Sequence, residues 1–420
     1  MLFAIIHCII VLMKVYDIAI IGAGPAGIMA AIIAAETGQK VILIEKNPAI
    51  GRKILATGNG RCNLTNKFAS PDRYHGADHN FIKDVLSKFD QHETMKFFEG
   101  LGLMLKEEDN GRIFPRTNQA SSVVSSLEHR LTETGVEILL NSEVKRIENH
   151  DCWSITLSDG QVISSGKLIL TTGGKAAHYL GSSGDGLFWV KNLGHTIKTV
   201  HAALVPIETK ESWPKEVQGI KVEAQVSLKR DGQRISLKTG DLLFTHFGLS
   251  GPAIMAQARN AAANINESTI TIHIDLFYDL EIKELDQKIA EIFSQSGKKT
   301  IKNALSGMIP QNLINVLLRL SNIDGDRKAA EISREKRLAL LKNFKDLTLT
   351  ILAIRPLKEA QVTAGGIDST EIESKTLQSK IAKNLYFAGE IIDVDGDSGG
   401  FNLQWAWSSG YVAGQAATQK

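Results

Sequence analysis

The feature that most constrains this chain is a glycine turn near its N-terminus. Tyr16-Asp17-Ile18-Ala19-Ile20-Ile21 is a short β-branched apolar run, the pattern of a strand buried in a parallel sheet. It leads directly into Gly22-Ala23-Gly24-Pro25-Ala26-Gly27, and then into the small apolar residues 28–35, which predict a helix. In such a unit Gly22 permits the tight turn, Gly24 lets backbone approach a pyrophosphate, and Gly27 lets helix and strand pack closely. The helix N-terminus adds free N–H groups and a partial positive charge. A second strand, Lys40-Val41-Ile42-Leu43-Ile44, ends at Glu45, 18 residues after Gly27. A carboxylate at that place holds ribose hydroxyls, and its sign argues against a 2′-phosphate. The pattern predicts an α/β fold that binds a dinucleotide.

The loop after Glu45 helps to say which dinucleotide. Residues 46–66 carry Gly51, Gly58 and Gly60, several basic side chains, and Asn47, Asn59, Asn63 and Asn66. A nicotinamide domain usually has a short connection here. A long polar loop with close backbone approach suits the ribityl and isoalloxazine parts of FAD. Further on, Val136 to Leu140 and Glu143 to Ile147 read as strands, and Ser158-Asp159-Gly160 turns a hairpin. Lys167 to Thr172 is a strand running into Gly173-Gly174, and Ser182-Ser183-Gly184-Asp185-Gly186 opens a helix. Asn384 to Ala388 is another short strand that ends at Gly389-Glu390, and a small-residue helix from Trp405 to Ala417 closes the chain.

Bulk properties exclude several classes. With 420 residues the chain is too long for one core. Forty-eight Lys and Arg against 46 Asp and Glu leave a net charge of +2, which makes no electrostatic case for nucleic acid as a partner. Cys8, Cys62 and Cys152 are far apart and form no CxxC, so no metal site or disulfide framework is expected and a cytoplasmic compartment is the default. The apolar run Leu2 to Met13 is 12 residues long, short of the roughly 20 that span a bilayer. Residues 1–12 therefore read as an upstream extension ahead of a start at Met13, with no stable membrane association. Oligomeric state is not legible.

The middle of the chain changes character. Lys221 to Leu228 and Arg234 to Leu237 alternate around the turn Arg230-Asp231-Gly232, and Ile270 to Ile274 alternates again, which predicts an antiparallel β subdomain. Residues 281–350 are lysine-rich and read as helical, with Leu313, Val316, Leu317 and Leu320 on one face and a charged helix over 329–341. The expected organisation is a first cofactor-binding part over 13–195, an inserted β subdomain over 196–280, a helical part over 281–354, and a second cofactor-binding part over 355–420. Such an insertion is expected to cap the cofactor and shape a substrate cleft.

Several stretches together resemble one family. They are residues 22–27, Gly51-Arg52-Lys53, Gly60-Arg61-Cys62-Asn63, Gly111-Arg112-Ile113-Phe114-Pro115, residues 243–252, Thr363-Ala364-Gly365-Gly366, and residues 388–407. The chain resembles the two-dinucleotide-fold flavoproteins, and within them the HI0933-like family of bacterial flavoproteins, which includes aminoacetone oxidase-like and BaiN-like proteins. The resemblance implies a Rossmann-like FAD-binding domain with an inserted β-rich subdomain and a small helical subdomain. It implies that Glu45 holds the adenosine ribose and that Val144 offers backbone to the adenine. Lys46, Arg52, Lys53, Gly58, Asn59, Asn63, Thr172 and Gly173 are the further contacts expected on the N-terminal side. Gly389, Glu390, Asp395, Gly400, Asn402 and Leu403 are expected to line the pyrophosphate, ribityl chain and flavin. A helix start near Gly400 can stabilise charge on the reduced flavin.

The flavin carries the redox chemistry, and the protein supplies position and electrostatics. His246, just before Gly248 and Ser250-Gly251-Pro252, is a candidate proton donor or acceptor; the alternative is a histidine that shapes its turn. Arg61 and Arg112 are candidates to bind a substrate carboxylate or carbonyl. Cys62 and the tryptophans Trp405 and Trp407 read as packing residues. The expected activity is hydride transfer between a small organic substrate and flavin N5. Two chemistries fit: reduction of activated C=C bonds with transiently bound NAD(P)H, or amine oxidation with oxygen as acceptor. A non-catalytic FAD protein and a tRNA-modifying flavoprotein are the alternatives outside that class.

Overall fold

The computed structural model describes residues 14–265 and 268–419. The upstream extension expected over residues 1–12 lies outside the described residues. The chain divides into two compact units, one of residues up to 200 together with those from 364 onward, the other His201–Thr363.

The first unit is built on a seven-stranded sheet. Lys14–Ile21 lies at its centre, parallel to Val41–Ile44 on one side and to Val162–Leu170 on the other. Glu137–Leu139 extends the sheet beyond Val41–Ile44. The long strand Val162–Leu170 changes partners along its length. Its start pairs antiparallel with Trp153–Leu157, which leads on to Val144–Asn149. Its end pairs parallel with Leu385–Phe387. Residues 18–21 and 41–44 are buried, as expected of strands covered on both faces.

Two helices with apolar residues all round cover the sheet and each other, as buried helices do. Pro25–Ala35 buries nine of its 11 residues. Phe401–Thr418 crosses it so closely that a Cβ on Gly410 would stand 2.4 Å from the Ala26 carbonyl oxygen, and one on Gly414 2.6 Å from that of Ala30. Trp405 and Trp407 are buried packing residues; each indole N–H donates to a carbonyl, of Gly389 (3.2 Å) and Leu64 (2.9 Å) respectively.

The second unit is a closed six-stranded barrel with attached helices. Its order is Ile207–Thr209, Gly248–Ser250, Gln233–Phe244, Lys221–Arg230, Ile270–Asp275 and Leu347–Ile354, which returns to the first. The last of these strands falls largely in a stretch that reads as helical from its lysines. Leu347, Leu349 and Ile351 are buried while the threonines between them are not, and that period of two makes it a strand. The charged helix expected over 329–341 begins at Arg334, because Ser333 Oγ caps it by accepting from the Lys336 N–H. Helices Ile282–Gln295, Gln311–Leu320 and Arg334–Lys345 share one apolar core with the barrel.

Among the described residues no helix is long and apolar enough to cross a membrane, and no His/Cys/Asp/Glu group could hold a metal ion.

Candidate functional site

The glycine turn sits at the C-terminal end of the central strand, whose last residue, Ile21, is still paired with Ile44 on one side and Leu170 on the other. Gly22 has φ of 105°, a value L side chains rarely adopt, and its N–H donates to the Ile44 carbonyl at 2.8 Å. A Cβ on Gly27 would stand 1.9 Å from the Gly22 oxygen and 2.5 Å from Thr171 Oγ1, so only glycine lets the helix pack here. Gly24 is the opposite case: nothing lies within 4 Å of where its Cβ would be. Closed packing at Gly27 and open space at Gly24 are what a turn needs if backbone is to meet a pyrophosphate. Ala26 lies close by on the helix, and a Cβ on Gly389 would stand 2.9 Å from the Ala26 methyl.

Glu45 is buried at the end of the second strand. Its Oε2 accepts from the Ala23 N–H at 2.7 Å, and its Oε1 from the Asn47 N–H at 2.9 Å and Asn47 Nδ2 at 2.6 Å. The carboxylate is thereby oriented by the glycine turn itself. Around it, Arg52 donates to Asn47 Oδ1 at 2.6 Å, and Lys46 Nζ reaches Ser183 Oγ at 2.5 Å and Asp185 at 3.0 Å. Lys53 pairs with Glu390 at 2.6 Å. Asn47, Ser183 and Asp185 read in the sequence only as loop and helix-start residues, with no cofactor role. The signal was there for the latter two, in a glycine turn that opens a helix. Val144 is buried at the start of its strand, and the nearby Ser142 N–H donates to the Glu45 carbonyl at 2.9 Å.

Of the polar side-chain atoms in this unit that are buried without a hydrogen-bond partner among the described residues, two lie in the glycine-rich motif segments: Thr172 Oγ1 and Asn63 Oδ1. Leaving such a group unpaired costs roughly 1–3 kcal/mol, so each marks a place where a bound molecule can supply the missing partner. Thr172 lies between the two glycine turns, beside Gly173, which has φ of 72°. Asn63 lies 2.9 Å from where a Cβ on Gly400 would be. Between Thr57 and Asn63 the backbone is left-handed at Gly58, Asn59, Gly60 and Cys62, and residues 58–60 are exposed.

The C-terminal motif is fixed by its own side chains. Asn402 Oδ1 accepts from the Gly396 N–H at 2.8 Å and its Nδ2 donates to the Gly396 carbonyl at 2.9 Å. The Asn402 amide is thus already engaged, and what the motif offers outward is backbone. Phe401, Asn402 and the buried Leu403 open the final helix, so their N–H groups have no acceptor within it. Asp395 is 2% exposed, on a short strand paired with Tyr74–Gly76. Open backbone at Gly24, two long helix starts, an oriented carboxylate and two orphaned polar atoms fit an elongated dinucleotide with a polar ring system at one end.

The three candidates for chemistry fall in two places. Arg61 makes a two-pronged pair with Glu108, at 3.0 and 3.1 Å, and its guanidinium lies 4.1 Å over the Phe114 ring. Arg61, followed by Lys106, holds the Glu108 carboxyl down to about 2. Arg112 is also near Phe114, at 5.8 Å, and its Nε donates to the Asp109 carbonyl at 3.0 Å. His246 belongs to the second unit. It is exposed at the tip of a turn closed by the Thr245 N–H on the Gly248 carbonyl at 2.9 Å. Its ring packs edge-on against Phe247, which in turn lies 4.8 Å under the Arg355 guanidinium. Cys62 is fully buried, and burial pushes its thiol up to about 12, which leaves it unreactive.

Comparison with known proteins agrees with this geometry. The family described as HI0933-like protein Rossmann domain matches residues 16–416. A 3-dehydro-bile acid delta(4,6)-reductase of Clostridium scindens is 36% identical over 96% of this chain and 99% of its own length. Ribosomal RNA dihydrouridine synthases of Escherichia coli and Haemophilus influenzae are 29% and 31% identical, over 96% and 94% of this chain and 98% and 96% of their own lengths. Among solved structures, a 3-ketosteroid delta1-dehydrogenase of Sterolibacterium denitrificans shares the fold, with TM-score 0.52 and 12% identity over 96% of this chain and 99% of that one. The chain belongs to the HI0933-like family, and it is an FAD-dependent oxidoreductase.

Proposed function

We propose that this enzyme reduces a carbon–carbon double bond conjugated to a carbonyl in a small organic substrate, drawing electrons from NADH or NADPH. One observation carries the reading: the relative that matches at 36% over its whole length is named a delta(4,6)-reductase of a 3-dehydro-bile acid. The dihydrouridine synthases support the same chemistry, since their named product is uridine with its ring double bond saturated.

When bound, FAD supplies hydride transfer at its N5. The chain's own groups do the rest. Glu45 would accept from the ribose hydroxyls, while Gly24 and the first turn of Pro25–Ala35 would meet the pyrophosphate with backbone N–H groups. The first turn of Phe401–Thr418 would present N–H groups to the negative charge that develops on reduction. Saturating a conjugated double bond also needs a proton at the second carbon.

A second reading, reduction of uridine in ribosomal RNA, is favoured by the two synthases alone. The whole chain carries a net charge of +2, which supports the small substrate first.

An anaerobic titration of the yellow protein with NADH and NADPH tests both. Bleaching, followed by reoxidation with a 3-oxo-4,6-diene steroid acid and gain of two hydrogens in the product, is the expected result. Reoxidation by unmodified ribosomal RNA but by no small enone would move the substrate to RNA. No bleaching by either nicotinamide, with reduction by small amines and oxygen uptake, would overturn the reductase in favour of an amine oxidase.

A further inference from the structure

We propose that Arg61 is a positioning residue for the cofactor, acting through Glu108 and Phe114, and not an anchor for substrate. The inference rests on FAD binding alone and is independent of the substrate proposed above.

The argument begins with backbone strain. Between Thr57 and Asn63, Gly58, Asn59, Gly60 and Cys62 all have positive φ, from 57° to 81°. Glycine accepts this freely, but Asn59 and Cys62 carry side chains, and a left-handed L-residue costs roughly 1–2 kcal/mol, less for asparagine. Such a path persists only where its surroundings impose it. The internal bonds are few: Cys62 N–H to the Thr57 carbonyl at 3.0 Å, and Arg61 N–H to the Gly58 carbonyl at a long 3.3 Å. Residues 58–60 are exposed, and nothing lies within 4 Å of where a Cβ on Gly60 would be.

What ties this segment down is the Arg61 side chain. It reaches out of the loop to the three-stranded sheet formed by Thr65–Asn66, Arg112–Pro115 and Leu105–Glu108. There the guanidinium takes both Glu108 oxygens and lies 4.1 Å over the Phe114 ring. The same phenyl ring supports the other end of the turn, since a Cβ on Gly58 would stand 3.1 Å from it. One ring thus braces Gly58 from beneath while carrying Arg61 on its face. Lys106, 2.7 Å from Glu108, adds a second cation beside the same carboxylate. The fork that would grip a substrate carboxylate is filled by Glu108. Asn63, with its orphaned Oδ1, is the residue that follows the loop. A brace there sets where that atom and the exposed 58–60 backbone stand when FAD binds. Lysine cannot do the same work, because an ammonium neither forms two parallel bonds nor stacks as a plane.

The experiment measures FAD dissociation constants by fluorescence and the visible circular dichroism of bound flavin for Arg61→Ala, Arg61→Lys and Glu108→Gln, with substrate KM alongside. The brace predicts that Arg61→Ala weakens FAD about tenfold, the effect of one lost charge-assisted contact, and alters the flavin dichroism, with Arg61→Lys failing to restore either. Should Arg61→Ala not fold, Glu108→Gln, which keeps nearly every atom in place, decides. It must weaken FAD at least about threefold. Unchanged FAD affinity and dichroism with a raised KM, or full rescue by lysine, or an unaffected Glu108→Gln, would each overturn the proposal.

Discussion

The two units use glycine in different ways. In the first, glycines such as Gly24, Gly38, Gly60 and Gly160 stand in open space, but a second set is packed against backbone and polar side chains. A Cβ would meet another atom at 1.9 Å on Gly27, 2.0 Å on Gly186, 2.4 Å on Gly410 and 2.5 Å on Gly400. In the second, Gly219, Gly232, Gly240 and Gly307 have nothing within 4 Å. The tightest there are Gly248 and Gly251, at 2.5 and 2.6 Å, just after the turn that carries His246; Gly325 comes nearest to the Leu318 side chain, at 2.9 Å, and Gly297 to that of Ala330, at 3.3 Å. The cores differ in the same sense. The first unit buries Gln404, Ser408 and Ser409 completely, and Gln404 spends its amide on Thr65, Ser408 and the Phe89 carbonyl. The second relies on aliphatic and aromatic volume, with Gln257 as its one polar side chain at 0% exposure among the described residues. Close backbone contact and polar pairing tolerate little change, whereas apolar volume can be exchanged within limits.

The sharpest way to break this contrast is at Gly27. Gly27→Ala places a methyl where the Gly22 oxygen and Thr171 Oγ1 already are, and the glycine turn cannot keep its shape. The expected outcome is protein that emerges colourless and takes up no FAD on addition. Its partner is Gly232→Ala, in a turn with φ of 82° and open space around it. It pays only the strain of roughly 1–2 kcal/mol and should bind FAD as the parent does. Equal FAD binding in both variants would end the distinction between the two uses of glycine.

Removing apolar volume from the second unit gives the next largest effect. Phe344 is fully buried in the barrel-and-helix core, 5.2 Å from the Phe277 ring. Phe344→Ala should lower unfolding free energy by about 3–5 kcal/mol. FAD affinity measured well below the melting temperature should stay within about twofold, as for independent sites. Denaturant unfolding followed by tryptophan and by flavin fluorescence would check both. A large loss of FAD affinity would mean that the second unit's core also shapes the cofactor site.

The same contrast explains what the sequence made legible. The glycine turn, Glu45 and the closing helix are short-range patterns, and spacing alone points to them. The strand Leu347–Ile354 was hidden because its alternation follows a lysine-rich helix, whose composition dominates the window. Pairings between distant residues carry no local trace. Lys53 and Glu390 are 337 positions apart and Arg61 and Glu108 are 47 apart, so Arg61 reads as a free cation until the fold supplies its carboxylate. Asn402 shows the reverse: the motif was legible, but its amide turns inward onto Gly396.

Acid sharpens the comparison by a smaller amount. In the first unit His195 is buried between Glu371, 3.1 Å from Nδ1, and Ser379, 2.8 Å from Nε2. Burial pulls its imidazole pKa below the ordinary value, although Glu371 works against that. The folded state therefore binds this proton less readily than the unfolded chain. The stabilisation from keeping His195 neutral is fully present above the unfolded value of about 6.5 and is lost as pH falls toward the folded one. Melting temperature should drop on acidification from about pH 7 to about pH 5, and His195→Gln should flatten that slope whatever it does to the starting stability. An unchanged slope would show that carboxylates set the acid sensitivity of this unit.

The smallest effect concerns the two described thiols. Cys152 is exposed, its sulfur 3.0 Å from Ser164 Oγ, and Cys62 is buried in the left-handed segment between Thr57 and Asn63 with its thiol pushed up to about 12. In a Cys8→Ser background, iodoacetamide at neutral pH should label Cys152 and spare Cys62, with little change in flavin absorbance, because only thiolate reacts. Repeating the labelling after FAD is stripped gives the test its reach. If Cys62 stays protected, the Arg61–Phe114–Glu108 contact is enough to hold that segment closed. If Cys62 becomes reactive only in the stripped protein, the cofactor itself closes the segment. The first unit's rigidity would then belong partly to its ligand, whereas the barrel core keeps its own.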